Sequence, residues 1–339
     1  MHRALSMAAL ALGVSVASAA ALADEVNIYS YRQEFLIEPF LETFTKETGI
    51  KVNVVFAKQG VLERLKAEGE QSPADIVLTV DVARLDALVE ADLLQPVTSP
   101  VLERNVPPQY RHPDGLWFGL TTRARIIYAS KQRVKPGEIS SYEELADPKW
   151  KGRVCMRSAK HEYNQALLAS MIAAHGEKKA FEWVKGLKEN LARKPQGNDR
   201  GQVKAIKEGL CDVALGNSYY YGAMKFNDEN PEQKEWAEAV YLIFPNQNDR
   251  GTHVNISGIA MTKSSRNQDD AIKLMEFLSK ETAQRMYASA NYEYPVNPSV
   301  EPDPEVASWG KFKADTLPLQ KVADLTPRAV RMYNEAGLD

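Results

Sequence analysis

Tyr219, Tyr220 and Tyr221 stand in a row in LGNSYYYGAMK, and a fourth tyrosine, Tyr163, sits in RSAKHEYNQ. A phenol that loses its proton becomes a hard anionic oxygen donor, the kind a trivalent cation prefers. Deprotonation at neutral pH spans about 3 pKa units, or about 4 kcal/mol per tyrosine, so only a strongly Lewis-acidic ion drives it. Three phenolates would cancel one ferric charge. The competing reading of the same residues is packed aromatics with a wet tip, or a stacking platform for a sugar. Zinc or copper chemistry has no matching pattern: Cys155 and Cys211 lack a C-x-x-C spacing and the five histidines are scattered.

Such residues need elements that bring them together. Both tyrosine phrases follow strand-like runs, GRVCMRS and CDVALGN, and a third polar segment, YSYRQEF, follows the β-like start EVNIYS. In parallel α/β sheets, ligands bind beyond the carboxyl ends of strands. There the loops lead into helix N-termini whose free N–H groups favour an anion. All three segments are therefore expected on one cleft, with Asn164 and Ser218 as helix N-caps.

The pattern around them alternates. EVNIYSY, IKVNVVFA and ADIVLTV read as strands. FLIEPFLETFTKETG, with Leu36, Phe40 and Phe44 at four-residue spacing, reads as a helix, as do GVLERLKAEG and VARLDALVEADLL. Such alternation implies right-handed crossovers and a parallel sheet. After LWFGLTTRARIIYAS the pattern restarts, with helices over NQALLASMIAAHG and KKAFEWVKGLKEN, then a helix, a strand and a turn that carries the tyrosine row. HVNISGIAMTKSS reads as a strand and AIKLMEFLSKETAQRMYAS as one amphipathic helix carrying Ile272, Met275 and Leu278.

A chain of 339 residues exceeds what one hydrophobic core usually organises, so two α/β lobes are expected, joined near Arg123 and His253. The stretch after Pro302, with Trp309, Leu317 and Val322, is expected to pack on the second lobe. A net charge of −3 without a dense Lys/Arg cluster argues against nucleic acid or an anionic membrane as partner. The opening MHRALSMAALALGVSVASAAALA has a short basic head, an apolar run and Ala21-Leu22-Ala23, and reads as a cleavable secretory signal over residues 1–23. An exported chain meets an oxidising compartment, where Cys155 and Cys211 either bridge or remain two buried thiols. No G-x-S-x-G, H-E-x-x-H or P-loop is present, which argues against an enzyme.

The chain resembles the periplasmic ferric-ion-binding proteins, the solute-binding components of iron ABC importers. The likeness runs through IYSYRQEFLIEPFLETFTKETGIKV, SYEELADPKWKGRVCMRS, YNQALLASMI, CDVALGNSYYYG, HVNISGIAMTKSS and NYEYPVNP. ADPKWKG marks only the broad class of binding proteins, whereas EYNQ together with NSYYYG is much more specific for ferric iron. The resemblance implies a two-lobed periplasmic-binding-protein fold of the α/β class, each lobe a mostly parallel sheet with helices on both faces, hinged on crossover strands. Lobes are expected at 24–123 with 248–298 and at 124–247 with 299–339.

It also implies a site. Tyr163, Tyr219 and Tyr220 take the place of the family's phenolate ligands to Fe(III), and Tyr221 that of a packing residue. Members that ligate from the first loop carry His-Tyr after the arginine, but this chain reads Arg32-Gln33-Glu34. It resembles instead the branch that completes the shell with carbonate or bicarbonate, held by arginines at the positions of Arg32 and Arg123, with Arg125 as a competing choice. On that reading Fe(III), three phenolates, carbonate and two arginines sum to zero, which spares the protein an uncompensated buried charge. Glu34 is a further candidate ligand or a solvated carboxylate, and His161 an outer ligand or a surface histidine. Gln33 and Asn255 are candidate hydrogen-bond donors to the shell. The implied function is periplasmic Fe(III) capture by a monomer that closes on its cargo and docks on an inner-membrane ABC permease. The alternative is an organic solute, such as a polyamine, thiamine or a phosphonate, held by the tyrosines as an aromatic cage and the arginines as a clamp.

Overall fold

A computed structural model describes residues 24–32 and 36–338. The expected signal segment, Gln33 and Glu34 lie outside the described residues.

The first α/β run is β1 (Glu25–Ser30), α1 (Glu38–Thr48), β2 (Lys51–Phe56), α2 (Val61–Glu68), β3 (Ile76–Thr79) and α3 (Val82–Glu90). Each helix turns an apolar face inward; Phe40, Leu41 and Phe44 of α1 are buried against Ile28, Ile76 and Leu78 of the sheet. After α4 (Pro100–Asn105), the thirteen-residue β4 (Phe118–Ser130) is buried along its whole length.

The second run is β5 (Val154–Cys155), α5 (Glu162–Asn190), α6 (Asp199–Lys207), β6 (Val213–Asn217), α7 (Tyr219–Lys225), α8 (Glu232–Glu238) and β7 (Val240–Ile243). The helix α5 breaks at Gly176, where two helices were expected from the sequence. The chain returns through β8 (Val254–Met261), α9 (Gln268–Ser279), α10 (Glu281–Asn291) and β9 (Tyr294–Pro295), and ends with α11 (Pro304–Ser308) and α12 (Leu319–Ala336). The single amphipathic helix expected over this return is two helices, because Lys280 is extended between them.

The strands lie in the order β2-β1-β3-β8-β4-β6-β5, with β7 and β9 also pairing β4. The parallel pairing expected from the alternation is found in β2-β1-β3 and in β5-β6. The sheet as a whole is mixed, because β4 and β8, the strands that cross between its halves, run antiparallel to their neighbours. Residues 118–124 of β4 pair with β8 in one half, and residues 125–130 pair with β6 and β7 in the other. Arg123 faces Asn255 at this crossing, and the Arg125 N–H donates to the His253 carbonyl at 2.9 Å. A disulfide joins Cys155, at the end of β5, to Cys211, just before β6.

The C-terminal helix reaches further than the sequence indicated. It packs along α5 but also against α3 of the first run, where Gln320 Nε2 donates to Asp86 at 2.7 Å.

Candidate metal centre

Tyr163 is the second residue of α5, and its backbone N–H is capped by the Nδ1 of His161 at 3.3 Å. The histidine takes this role because the expected cap, Asn164, lies inside the helix. Asn164 is fully buried: its Oδ1 accepts from Arg125 at 2.7 Å and its Nδ2 donates to the carbonyls of Arg157 and Ser158 at 3.0 Å each. The loop before Tyr163 is thus wound around one amide. Burial holds the His161 imidazole down to about 4, so it is neutral and able to accept at neutral pH.

Tyr219 and Tyr220 are the first two residues of α7 rather than members of a turn. Successive side chains on a helix are about 100° apart, which lets two neighbours share one side, whereas a strand would send them to opposite faces. Their rings lie 4.2 Å apart at 36°, and Tyr221, one step further round, packs edge-on against Trp309. Ser218 flanks the helix without capping it, and its hydroxyl accepts from the Ala124 N–H at 3.3 Å. Below it, Gly216 leaves the space that the Tyr128 ring fills, and the Tyr128 hydroxyl donates to the Asn217 carbonyl at 2.7 Å.

The three phenols expected to act together are brought together. Tyr163 and Tyr219 place their hydroxyls 3.1 Å apart. Tyr220 lies close enough that its charge, after burial, raises the pKa of both. Burial and mutual repulsion hold Tyr163 and Tyr219 above the usual phenol range, against the pull of Arg123. Such a group stays protonated until a strong positive charge enters among the oxygens.

Cations surround the phenols. The guanidinium carbons of Arg123, Arg125 and Arg157 lie 5.5, 5.8 and 5.1 Å from the Tyr163 ring centre, and that of Arg200 lies 5.6 Å from Tyr220. Each of the deeper arginines already has a carboxylate. Asp199 accepts from Arg125 at 2.9 Å, from Arg157 at 3.3 Å and from the Asn217 N–H at 3.0 Å. Asp81 caps α3 and meets Arg123 at 3.0 Å; burial pushes its carboxyl up to about 6 despite that arginine. Arg32 meets Glu293 at 3.1 Å and Ser257 Oγ at 2.5 Å, and also donates to Asn291. Burial would lower the Arg32 pKa, but the Glu293 charge overrides this and raises it.

These pairings overturn one step of the sequence reasoning. A neutral sum built from two free arginines and a carbonate dianion omits Glu293 and Asp81, which already oppose them. Donors remain nonetheless: among the described residues, buried Arg32 Nε, Arg123 Nε and Nη1, and Asn255 Nδ2 have no hydrogen-bond partner. Arg123, Arg125, Asn255, Asn217, His253 and Tyr163 line one small cavity. The Asn255 Oδ1 accepts from the Val82 N–H at 3.1 Å, tying β8 to the start of α3.

Sequence reasoning missed Asp81, Asp199, Glu293 and Arg157. Only Asp81 carries a local signal, an aspartate between an apolar strand and a helical pattern.

Further contacts join the first half of the molecule to the tyrosine-bearing helices. Arg84 of α3, stacked on Tyr31 at 4.3 Å, reaches Glu162 of α5 at 3.5 Å. Tyr292, between α10 and β9, covers Gly222 of α7 and stacks on Phe226 with ring centres 5.8 Å apart.

Residues 40–314 match the family model of the bacterial extracellular solute-binding proteins. An iron uptake protein, A1, of Synechocystis is 50% identical over 92% of this chain and 87% of its own length. The chain belongs to the bacterial extracellular solute-binding proteins, in the family of the periplasmic ferric-ion-binding proteins. As a solute-binding protein it is a transport component and not an enzyme. Its fold is that of a ferric iron-binding protein from Mannheimia haemolytica in an open conformation, with a TM-score of 0.90 and 52% identity over 93% of this chain and 99% of that one. A Trichodesmium protein solved with iron and citrate superposes with a TM-score of 0.91 at 41% identity, covering 93% of this chain and 100% of that one. These two-lobed neighbours accord with the two halves of sheet met at β4 and β8.

Proposed function

We propose that this solute-binding protein captures Fe(III) as cargo through the phenolates of Tyr163, Tyr219 and Tyr220. The observation that carries the reading is the 3.1 Å approach of the Tyr163 and Tyr219 hydroxyls, with the Tyr220 ring packed on that of Tyr219. A ferric ion would displace three protons and turn mutual repulsion into shared attraction. A small synergistic anion such as carbonate or bicarbonate completes the shell on Arg32 and Arg123, whose unpartnered N–H groups suit a planar acceptor. Arg125, held by Asp199 and Asn164, serves to position Tyr163.

Capture couples to closure of the lobes, 24–123 with 248–298 against 124–247 with 299–339, by bending at β4 and β8. The closed form delivers its cargo to an inner-membrane ABC permease from the periplasm, which the chain reaches through cleavage of residues 1–23. Iron capture is supported by the relatives, whose descriptions name iron uptake and ferric iron binding.

The test is ferric titration of Tyr163→Phe, Tyr219→Phe and Tyr220→Phe, followed by the visible phenolate absorption. Each variant is expected to lose at least ~100-fold in affinity, about 3 kcal/mol. Parent-like binding by all three would remove the ligand set. A ferric-loaded parent without visible colour would return the site to an organic solute.

A further inference from the structure

Buried charges of both signs surround the phenols. Among the described residues, four guanidiniums stand close to the cluster: Arg32, Arg123, Arg125 and Arg157, with side chains between 2% and 11% exposed. Three carboxylates oppose them, Glu293, Asp81 and Asp199, each no more than 2% exposed and each within hydrogen-bond distance of its arginine. Four against three leaves one positive charge. Ferric iron with three phenolates adds none. The neighbouring Arg84 and Glu162 cancel as a pair, and both they and Arg200 are partly exposed, so water screens them.

We propose that the site takes a single negative charge beside the ferric ion, from an added monoanion such as bicarbonate or formate, and that Glu293 sets this preference. Glu293 acts as a built-in anion. Its carboxylate accepts from Arg32, Thr121 and Ser257 and occupies the guanidinium that would otherwise welcome a second negative charge. Arg32 in turn lies within electrostatic reach of Tyr219, and Glu293 within reach of Arg123, so the pair belongs to the same field as the phenols. A dianion would leave the enclosed site with a net negative charge, which burial penalises as it penalises an excess positive one. The inference rests on the ferric phenolate reading and refines it.

Two measurements test it. In the parent, protons released per ferric ion are counted with formate and then with bicarbonate as the only added anion. The counts are expected to agree; one additional proton with bicarbonate means that carbonate is bound and overturns the proposal. The second measurement is the ratio of ferric affinities supported by oxalate and by formate, in the parent and in Glu293→Gln. The variant is expected to shift that ratio toward oxalate by roughly tenfold or more and to gain the additional bicarbonate proton, since a unit charge acts over a few ångströms of poorly screened space. Glu293→Asp should restore the parent ratio, which loss of packing alone would not achieve. An unchanged ratio in Glu293→Gln, or iron binding by the parent that ignores both anions, also overturns the proposal. Absence of a phenolate band with every anion strikes the ferric reading itself, whereas a normal band with the wrong proton count strikes only the charge rule.

Discussion

The two sides of the cleft are built on different plans. On the side of α5 and α7, the tyrosines are backed by one hub, Asp199, which holds two guanidiniums and the backbone just before α7. On the side of β1 and α3, Arg32 and Arg123 each have a separate carboxylate and lie on separate elements. The first side fixes geometry, because its oxygens are placed by a cap, an amide and a shared aspartate. The second side supplies charge in two parts that can be altered one at a time.

The largest way to break this contrast is at the hub. Asp199→Ala leaves two buried guanidiniums and a backbone N–H without their acceptor, and should destabilise the iron-free protein by about 3–5 kcal/mol in urea unfolding. Asp81→Ala, which frees one guanidinium and one cap, should cost distinctly less. Equal losses would mean that the two sides are not organised differently.

A smaller effect is expected where the sides meet. A Cβ at Gly222 would stand 2.5 Å from the Tyr292 ring, so Gly222→Ala should cost about 1–3 kcal/mol and slow closure on iron, followed by stopped-flow absorbance. Adding Tyr292→Ala should relieve the clash; failure to do so would place the cost within α7 itself. Smallest of all is the Arg84–Glu162 pair, with side chains 29% and 26% exposed. Arg84→Gln should change ferric affinity by under about 1 kcal/mol, and by less still in high salt, as equilibrium titration would show.

The tyrosine side was legible in the sequence because its signals are local. Apolar strand runs end in polar phrases that start helices, so Tyr163, Tyr219 and Tyr220 could be placed at the same end of neighbouring strands from spacing and strand polarity. The charge side was half hidden. Arg32 and Arg123 were reached through the family resemblance, but their partners were not: Glu293 lies 261 residues from Arg32, and Asp81 lies 42 from Arg123. Pairing at such separations follows from topology and leaves no periodic trace. The antiparallel course of β4 and β8 was missed for a related reason, since strand direction in a crossover depends on the lobe it enters and not on its own residues. Helix ends were misjudged where a cap was unusual: His161 displaced Asn164, whose amide was needed deeper in the site.

The bridge between Cys155 and Cys211 ties the strand that feeds the Tyr163 loop to the one that feeds Tyr219. It lies at the root of both phenol-bearing segments, so their separation is held by a covalent crossbar that persists whether the cleft gapes or shuts. On the proposed ferric reading, an empty molecule waits with its two donor arms already gauged to one ion, and a reducing milieu would loosen that gauge without touching a proposed ligand.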